Sequence, residues 1–189
     1  MNTTPANIAD LTTLSLGTVG EHWIEPLDGG VHVLIRALQE QDREREFQFI
    51  KRLSPQSRRA RFLCTFVEVP ASLVGLLMNV QFPLQMAYVA LAHDNGELRE
   101  VGVCRYAKVE GQEQHCESAV VVADDWQGKG LEHALMLRLM NAARRNGFSR
   151  MVATDLASNV AMHQLLSSLG FQSHHLVGNS SEIVHECQL

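Results

Sequence analysis

The stretch AVVVADDWQGKGLEHAL, residues 119–135, decides how the rest of the chain is read. Its opening AVVVA (119–123) is small and β-branched, and it reads as the end of a buried strand. DDWQGKG (124–130) is a polar turn, and LEHAL opens a leucine- and methionine-rich helix. A strand, a glycine turn and a helix together present unpaired backbone N–H groups to an anion. Two familiar phosphate loops do not fit. A GxxxxGK[ST] loop needs more widely spaced glycines and a hydroxyl after the lysine, whereas Gly128 and Gly130 flank a single residue and Leu131 stands in the hydroxyl's place. A GxGxxG fingerprint is met at Gly128 and Gly130, but its third glycine is His133. Taken alone, the turn is either an anion cradle or a tight corner in which glycine supplies positive φ. Glu132 puts a carboxylate where a phosphate loop does not want one.

The flanks supply the context. Downstream, a helix over about 130–146 carries Leu131, Leu135, Leu139 and Ala142 on one stripe, widened by Met136, Met140 and Ala143, so it is expected to be deeply buried. RMVATDL (150–156) reads as a buried strand, SNVAMHQLLSSLG (158–170) as a helix capped by Ser158, and FQSHHLV and EIVHEC as two closing strands. Upstream, VHVLIRAL (31–38) reads as a strand and QDREREFQFIKRL (41–53) as an amphipathic helix. SPQSRRARFL (54–63) is a short helix with Ser54 as N-cap and Pro55 in the first position, and VPASLVGLLMNV (69–80) is another. MAYVALAHD (86–94) and REVGVCRYAKVE (99–110) flank NGE, a hairpin signal, and HCESAVVVA (115–123) follows as a strand. The order describes an α/β (α+β) chain with an antiparallel meander in its middle. A doubly wound nucleotide fold would alternate strand and helix from the start. Residues 1–28 read as a polar tail or arm, and residues 29–189 as a single domain.

Composition narrows the function classes. A chain of 189 residues, 46% hydrophobic and 20% charged, suits one soluble domain. No apolar run approaches about 18 residues, so no spanning helix and no membrane partner are expected. The N-terminus lacks a secretory signal pattern, and Cys64, Cys104, Cys116 and Cys187 are scattered, which favours reduced thiols and a cytoplasmic protein. The nine histidines form no ligand cluster, and no metal is expected. A net charge of −5 argues against nucleic acid. The basic run from Arg43 to Arg61 is either a solvated helix face or a rim that attracts an acidic substrate or a cofactor phosphate.

Beyond the turn, WQGKGLEHALMLRLMNAARRNG, then a strand, then DLASNVAMHQLLSSLGF, together with IRAL and FQFIKRLSPQSRRARF upstream, resemble the GNAT superfamily of N-acetyltransferases. The match covers roughly residues 31–175, and its flavour is most like the acetyltransferase domain of Pat-type protein-lysine acetyltransferases, without their large acyl-CoA-synthetase-like portion. The resemblance implies a central mixed, mostly antiparallel sheet flanked by helices, with acetyl-CoA as cosubstrate. In the family's phosphate motif, Gln127 and Gly130 fill their places and Glu132 departs from the glycine or alanine. The implied cofactor residues are Val120, Val121 and Val122 along the strand, Gln127, Gly128, Lys129, Gly130, Leu131 and Glu132 in the loop, and Asn159 at the start of the later helix.

The resemblance also implies the chemistry. Acetyl transfer to an amine needs a neutral amine and a polarised thioester carbonyl. Glu117, on the strand just before VVV, stands where Pat-type enzymes carry their catalytic glutamate, and a backbone N–H near Val121 or Val122 would polarise the carbonyl. The expected acceptor is a primary amine, a protein lysine by preference. The tyrosine that many members use to protonate the leaving thiolate is replaced by Leu166. Cys116 alternates with Glu117 across the strand, which argues against a covalent acyl-enzyme. Glu132 and Leu166 also leave open a non-catalytic acyl-CoA-binding module or a small-molecule amine acetyltransferase.

Overall fold

The computed structural model of the chain describes residues 20–94, 96–176 and 179–189. The strands are β1 (His22–Pro26), β2 (His32–Ala37), β3 (Gln85–Asp94), β4 (Glu97–Lys108), β5 (His115–Val122), β6 (Arg150–Leu156), β7 (Gln172–Leu176) and β8 (Asn179–Gln188). The helices are α1 (Arg43–Arg52), α2 (Pro55–Phe62), α3 (Ala71–Met78), α4 (Leu131–Arg145) and α5 (Val160–Ser168). All the strands join one sheet in the order β1-β2-β3-β4-β5-β6-β8-β7. Every neighbouring pair is antiparallel except β5 and β6, which run parallel. The mixed, mostly antiparallel sheet flanked by helices is therefore the fold.

Helices bury both faces of this sheet. On one face α4 lays Leu131, Leu135 and Leu139 against Cys104, Tyr106, Val120 and Val122. On the other, α1 and α3 bring Phe49, Ile50 and Leu77 against Val89, Val103 and Val121. The alternation of apolar side chains along β4 and β5 feeds both cores, which is why AVVVA contains no polar residue. Gly102 on β4 lets α4 approach closely: a Cβ there would meet Leu135 Cδ1 and Val122 Cγ2 at 3.1 Å. No helix of the described residues is long and apolar enough to cross a membrane.

Two expectations change. The arm of residues 1–28 contains β1, paired with β2 from His22↔Arg36 to Pro26↔His32; residues 1–19 lie outside the described residues. Burial along β1 alternates between exposed and intermediate, so HWIEP has no fully buried residue, and Trp23 packs against the core from its edge. The cap of α5 is Asn159, not Ser158: its Oδ1 accepts from Met162 N at 3.4 Å. Ser54 caps α2 as expected, accepting from Ser57 N at 3.1 Å, with Pro55 leading the helix. The tip of the β3–β4 hairpin includes Asn95, which lies outside the described residues.

Candidate active site

The parallel β5–β6 ladder is short. It pairs His115 with Arg150, Cys116 with Met151 and Glu117 with Val152, and then the strands diverge. Ser118 marks the parting point, its Oγ donating to Val152 O at 3.1 Å. Beyond it opens a cleft of about 1000 Å³, walled by Ser118 to Val122, by Ala153 to Leu156, by the glycine turn, by α5 and by α2.

Two bonds fix which backbone groups of β5 face this gap. Ala123 N donates to Val101 O and Val109 N to His115 O, both at 2.9 Å. Antiparallel alternation from those anchors turns the N–H and C=O of Glu117, Ala119 and Val121 toward β4, and those of Ser118, Val120 and Val122 toward β6. Val120 and Val122 therefore look into the cleft without a strand partner. Val122 O takes the Gln127 side-chain amide at 3.4 Å. Val121 spends its backbone on β4 and offers the cleft only its side chain.

At the head of the cleft, Gly128 (φ 72°) and Gly130 (φ 83°) occupy the left-handed region that a β-carbon resists. Gly130 caps α4, whose first helical bond runs from Ala134 N to Gly130 O at 3.1 Å. The N–H groups of Leu131, Glu132 and His133 precede that bond and have no carbonyl of the helix to meet. The Leu131 side chain is fully buried, so only its backbone can serve a ligand. Glu132 is half-buried in the cleft wall; burial raises its carboxyl above the usual range, against the pull of its own backbone N–H. Lys129 turns away, its Nζ donating to Asp125 O and lying 5.1 Å from the Trp126 ring centroid. Gln127 reaches Ser57 Oγ at 3.3 Å.

α2 closes the opposite side. Asp124 accepts from Ser54 N at 2.8 Å and from Ser54 Oγ and Ser57 Oγ at 2.7 Å, which ties the start of α2 to the turn after β5. Against the upward push of burial, those donors hold Asp124 below the usual carboxylate range. Of the basic run, Arg43 pairs with Glu40 and Arg45 with Asp42, whereas Arg59 and Arg61 line the cleft. Burial, with Arg105 nearby, lowers the Arg61 guanidinium to about 10.

Glu117 is exposed at the last rung of the ladder, and Thr154 Oγ1 donates to its Oε1 at 3.2 Å. Cys116 points the other way, fully buried, with burial pushing its thiol up to about 12. It offers no nucleophile at neutral pH. Asn159 lines the cleft from the α5 side, and Leu166 is buried there beside it. Among the described residues, no three His, Cys, Asp or Glu side chains gather as metal ligands do. Of the residues named from the sequence, Val120, Val121, Val122, Gln127, Gly128, Gly130, Glu132 and Asn159 line one cleft, whereas Glu117, Lys129 and Leu131 are not among its lining. Thr154 joins them there unannounced by any motif; Arg61 comes from the basic run that also reads as a rim, and Asp155 from the end of the RMVATDL strand.

Comparison with known proteins agrees with this geometry. The Acetyltransferase (GNAT) family model matches residues 59–171. An acetyltransferase of Pseudomonas aeruginosa is 49% identical over 170 residues, spanning 90% of this chain and 91% of that protein. Among solved structures, the GNAT domain of PAT from S. lividans superposes with a TM-score of 0.79 at 22% identity, covering 89% of this chain and 97% of that one. Salmonella typhimurium yncA, solved with its cofactor acetyl-CoA, gives 0.65 at 22% identity over 83% of this chain and 94% of its own. These two show the fold; the family match and the Pseudomonas relative carry the assignment. The chain belongs to the GNAT family of acetyltransferases, and it is an acyltransferase.

Proposed function

We propose that the chain transfers an acetyl group from acetyl-CoA to a primary amine, with a protein lysine as favoured acceptor and Glu117 as general base. The observation that carries this reading is the early end of the β5–β6 ladder. It leaves the backbone of Val120 and Val122 without a strand partner beside the open N-terminus of α4, with only the Gln127 amide on Val122 O. A pyrophosphate fits the N–H groups of Leu131, Glu132 and His133, where the helix dipole adds about 0.3–1 kcal/mol. Gly128 and Gly130 let it approach the backbone, and the Gln127 amide is near enough to turn from Ser57 toward it. Lys129, held by Asp125 and Trp126, contributes only its field. The pantetheine arm pairs with Val120 and Val122 as a strand would, and Asn159 meets it from α5.

Glu117 accepts the amine's proton, oriented by Thr154. A backbone N–H of β5 polarises the acetyl carbonyl. By the alternation above, that donor is Val120 or Val122, not Val121. The four free thiols and the use of acetyl-CoA support a cytoplasmic setting. A small amine is the second reading. Arg61 lines the acceptor side without a carboxylate at ion-pair distance among the described residues, which suits an acceptor bearing its own carboxylate.

A calorimetric titration with acetyl-CoA, followed by thiol release against amines and lysate proteins, tests the reading. Binding with amine-dependent release is expected. Absence of binding at millimolar acetyl-CoA would sink it, and binding without release would leave an acyl-CoA-binding module in its place.

A further inference from the structure

We propose that Asp155 is the acid of the transfer, giving its carboxyl proton to the sulfur as it leaves; this rests on reading the cleft as an acetyl-CoA site. Continuing the register of the last rung, Glu117 with Val152, brings Asp155 level with Val120, whose backbone faces the gap. Burial alternates along β6, so Met151, Ala153 and Asp155 share the α4 and α5 side of the sheet. Thr154 lies on the opposite side with Glu117. Consecutive residues of one strand thus serve opposite faces of the reacting centre: Thr154 steadies the base, and Asp155 stands where sulfur would depart.

The carboxyl is built for donation. Asp155 is 5% exposed, and its Oδ1 accepts from Leu156 N at 2.7 Å. Its Oδ2 is buried and has no hydrogen-bond partner among the described residues. An ionised carboxylate with a bare, dry oxygen is costly, whereas a protonated one carries its hydrogen on that oxygen and is satisfied through the other. Burial raises its pKa, against the pull of Leu156 N–H, the Asn159 amide and His163. Leu166, buried in the same wall, has nothing to give. Ser118 spends its proton on Val152 O. Glu132 and His133 stand at the start of α4, at the phosphate end of the cleft.

The protons balance. As the nitrogen–carbon bond forms and the carbon–sulfur bond breaks with its pair on sulfur, the Asp155 carboxyl, shielded at Oδ2 in the free protein, turns about its side-chain torsions into the cleft it lines and passes its proton to sulfur, yielding a thiol. Glu117 takes the proton lost by the amine and returns it to water. Asp155 recovers a proton from water before the next turnover.

Asp155→Asn tests this, because the amide keeps an oxygen for Leu156 N–H and loses only the acidic proton. The expected result is a kcat about 100-fold lower, with calorimetric affinity for acetyl-CoA within about twofold. In the free protein, the infrared band of protonated carboxyls that persists above the pH at which exposed carboxylates ionise is expected to lose one component in the variant, while the components of Glu100 and Glu132 remain. Adding Leu166→Tyr to Asp155→Asn is expected to recover kcat at least tenfold. An unchanged kcat, a loss confined to affinity, or a band that loses no component overturns the assignment while the acetyl-CoA reading stands. Failure of the wild type to bind acetyl-CoA removes both.

Discussion

Thr154 donates to Glu117 at 3.2 Å across the last rung that joins β5 to β6, so the proposed base is held by the strand that then turns away from it. Glu117→Gln is expected to lower kcat by about 10²–10⁴ with little change in acetyl-CoA affinity by calorimetry. Thr154→Val loses only orientation, and a fall of roughly tenfold in kcat, about 1.4 kcal/mol, is expected. Equal losses in the two variants, or a loss in affinity instead, would contradict these roles.

Glu132 sets the pH dependence of cofactor binding. Burial raises its carboxyl, so it stays neutral to a higher pH than an exposed glutamate and then becomes an anion beside the pyrophosphate donors. Affinity for acetyl-CoA is expected to weaken as pH rises through that raised value. Glu132→Gln removes the dependence and tightens binding above it by about 3- to 10-fold at moderate salt. Calorimetry at a series of pH values reads both. An unchanged affinity in the variant would mean the carboxylate makes no contact with the bound phosphates.

Glu100 and Glu46 lie buried together between α1 and the sheet, with Arg105 Nη2 3.4 Å from Glu46 Oε1. Burial, and then the Glu46 carboxylate, push Glu100 well above its ordinary 4.5. A raised folded value means the folded protein holds a proton that the unfolded chain releases. The stabilisation is complete below the unfolded value and is lost as pH rises through the folded one, by up to about 1.4 kcal/mol per pH unit. Urea denaturation across this range should show that decline in the wild type and a flatter profile in Glu100→Gln. Parallel profiles would refute the shared-proton reading.

Gly102 is the contact that sets the depth of α4. Gly102→Ala forces a methyl against Leu135 and Val122 at 3.1 Å, and a loss of about 1–3 kcal/mol in urea denaturation is expected. Because α4 carries the proposed phosphate donors, acetyl-CoA affinity should fall alongside stability. A neutral substitution would show that α4 shifts freely.

Much of this was legible in the residues. AVVVA, the two glycines and the leucine stripe of α4 gave strand, turn and buried helix because each has a period or a φ requirement that few other arrangements meet. β1 was missed because HWIEP has no fully buried residue; it is held by its ladder to β2, by Trp23 against Tyr88 and by Glu25 paired with Arg138. Asn159 displaced Ser158 as the cap because adjacent polar residues compete for one helix start, and only backbone geometry decides between them. Thr154, and the place of Asp155 beside β5, stayed hidden for another reason. Their partners lie more than thirty residues away, and pairing register is not written in either strand alone.

The parting of β5 from β6 also has a mechanical meaning. Strands β1 to β5 form one antiparallel half-sheet, and β6, β8 and β7 form another. Three rungs and the Ser118 hydroxyl fasten the halves along their shared ladder. A ligand lying in that seam would act as a splice, lending the missing rungs and joining two half-sheets into one continuous body.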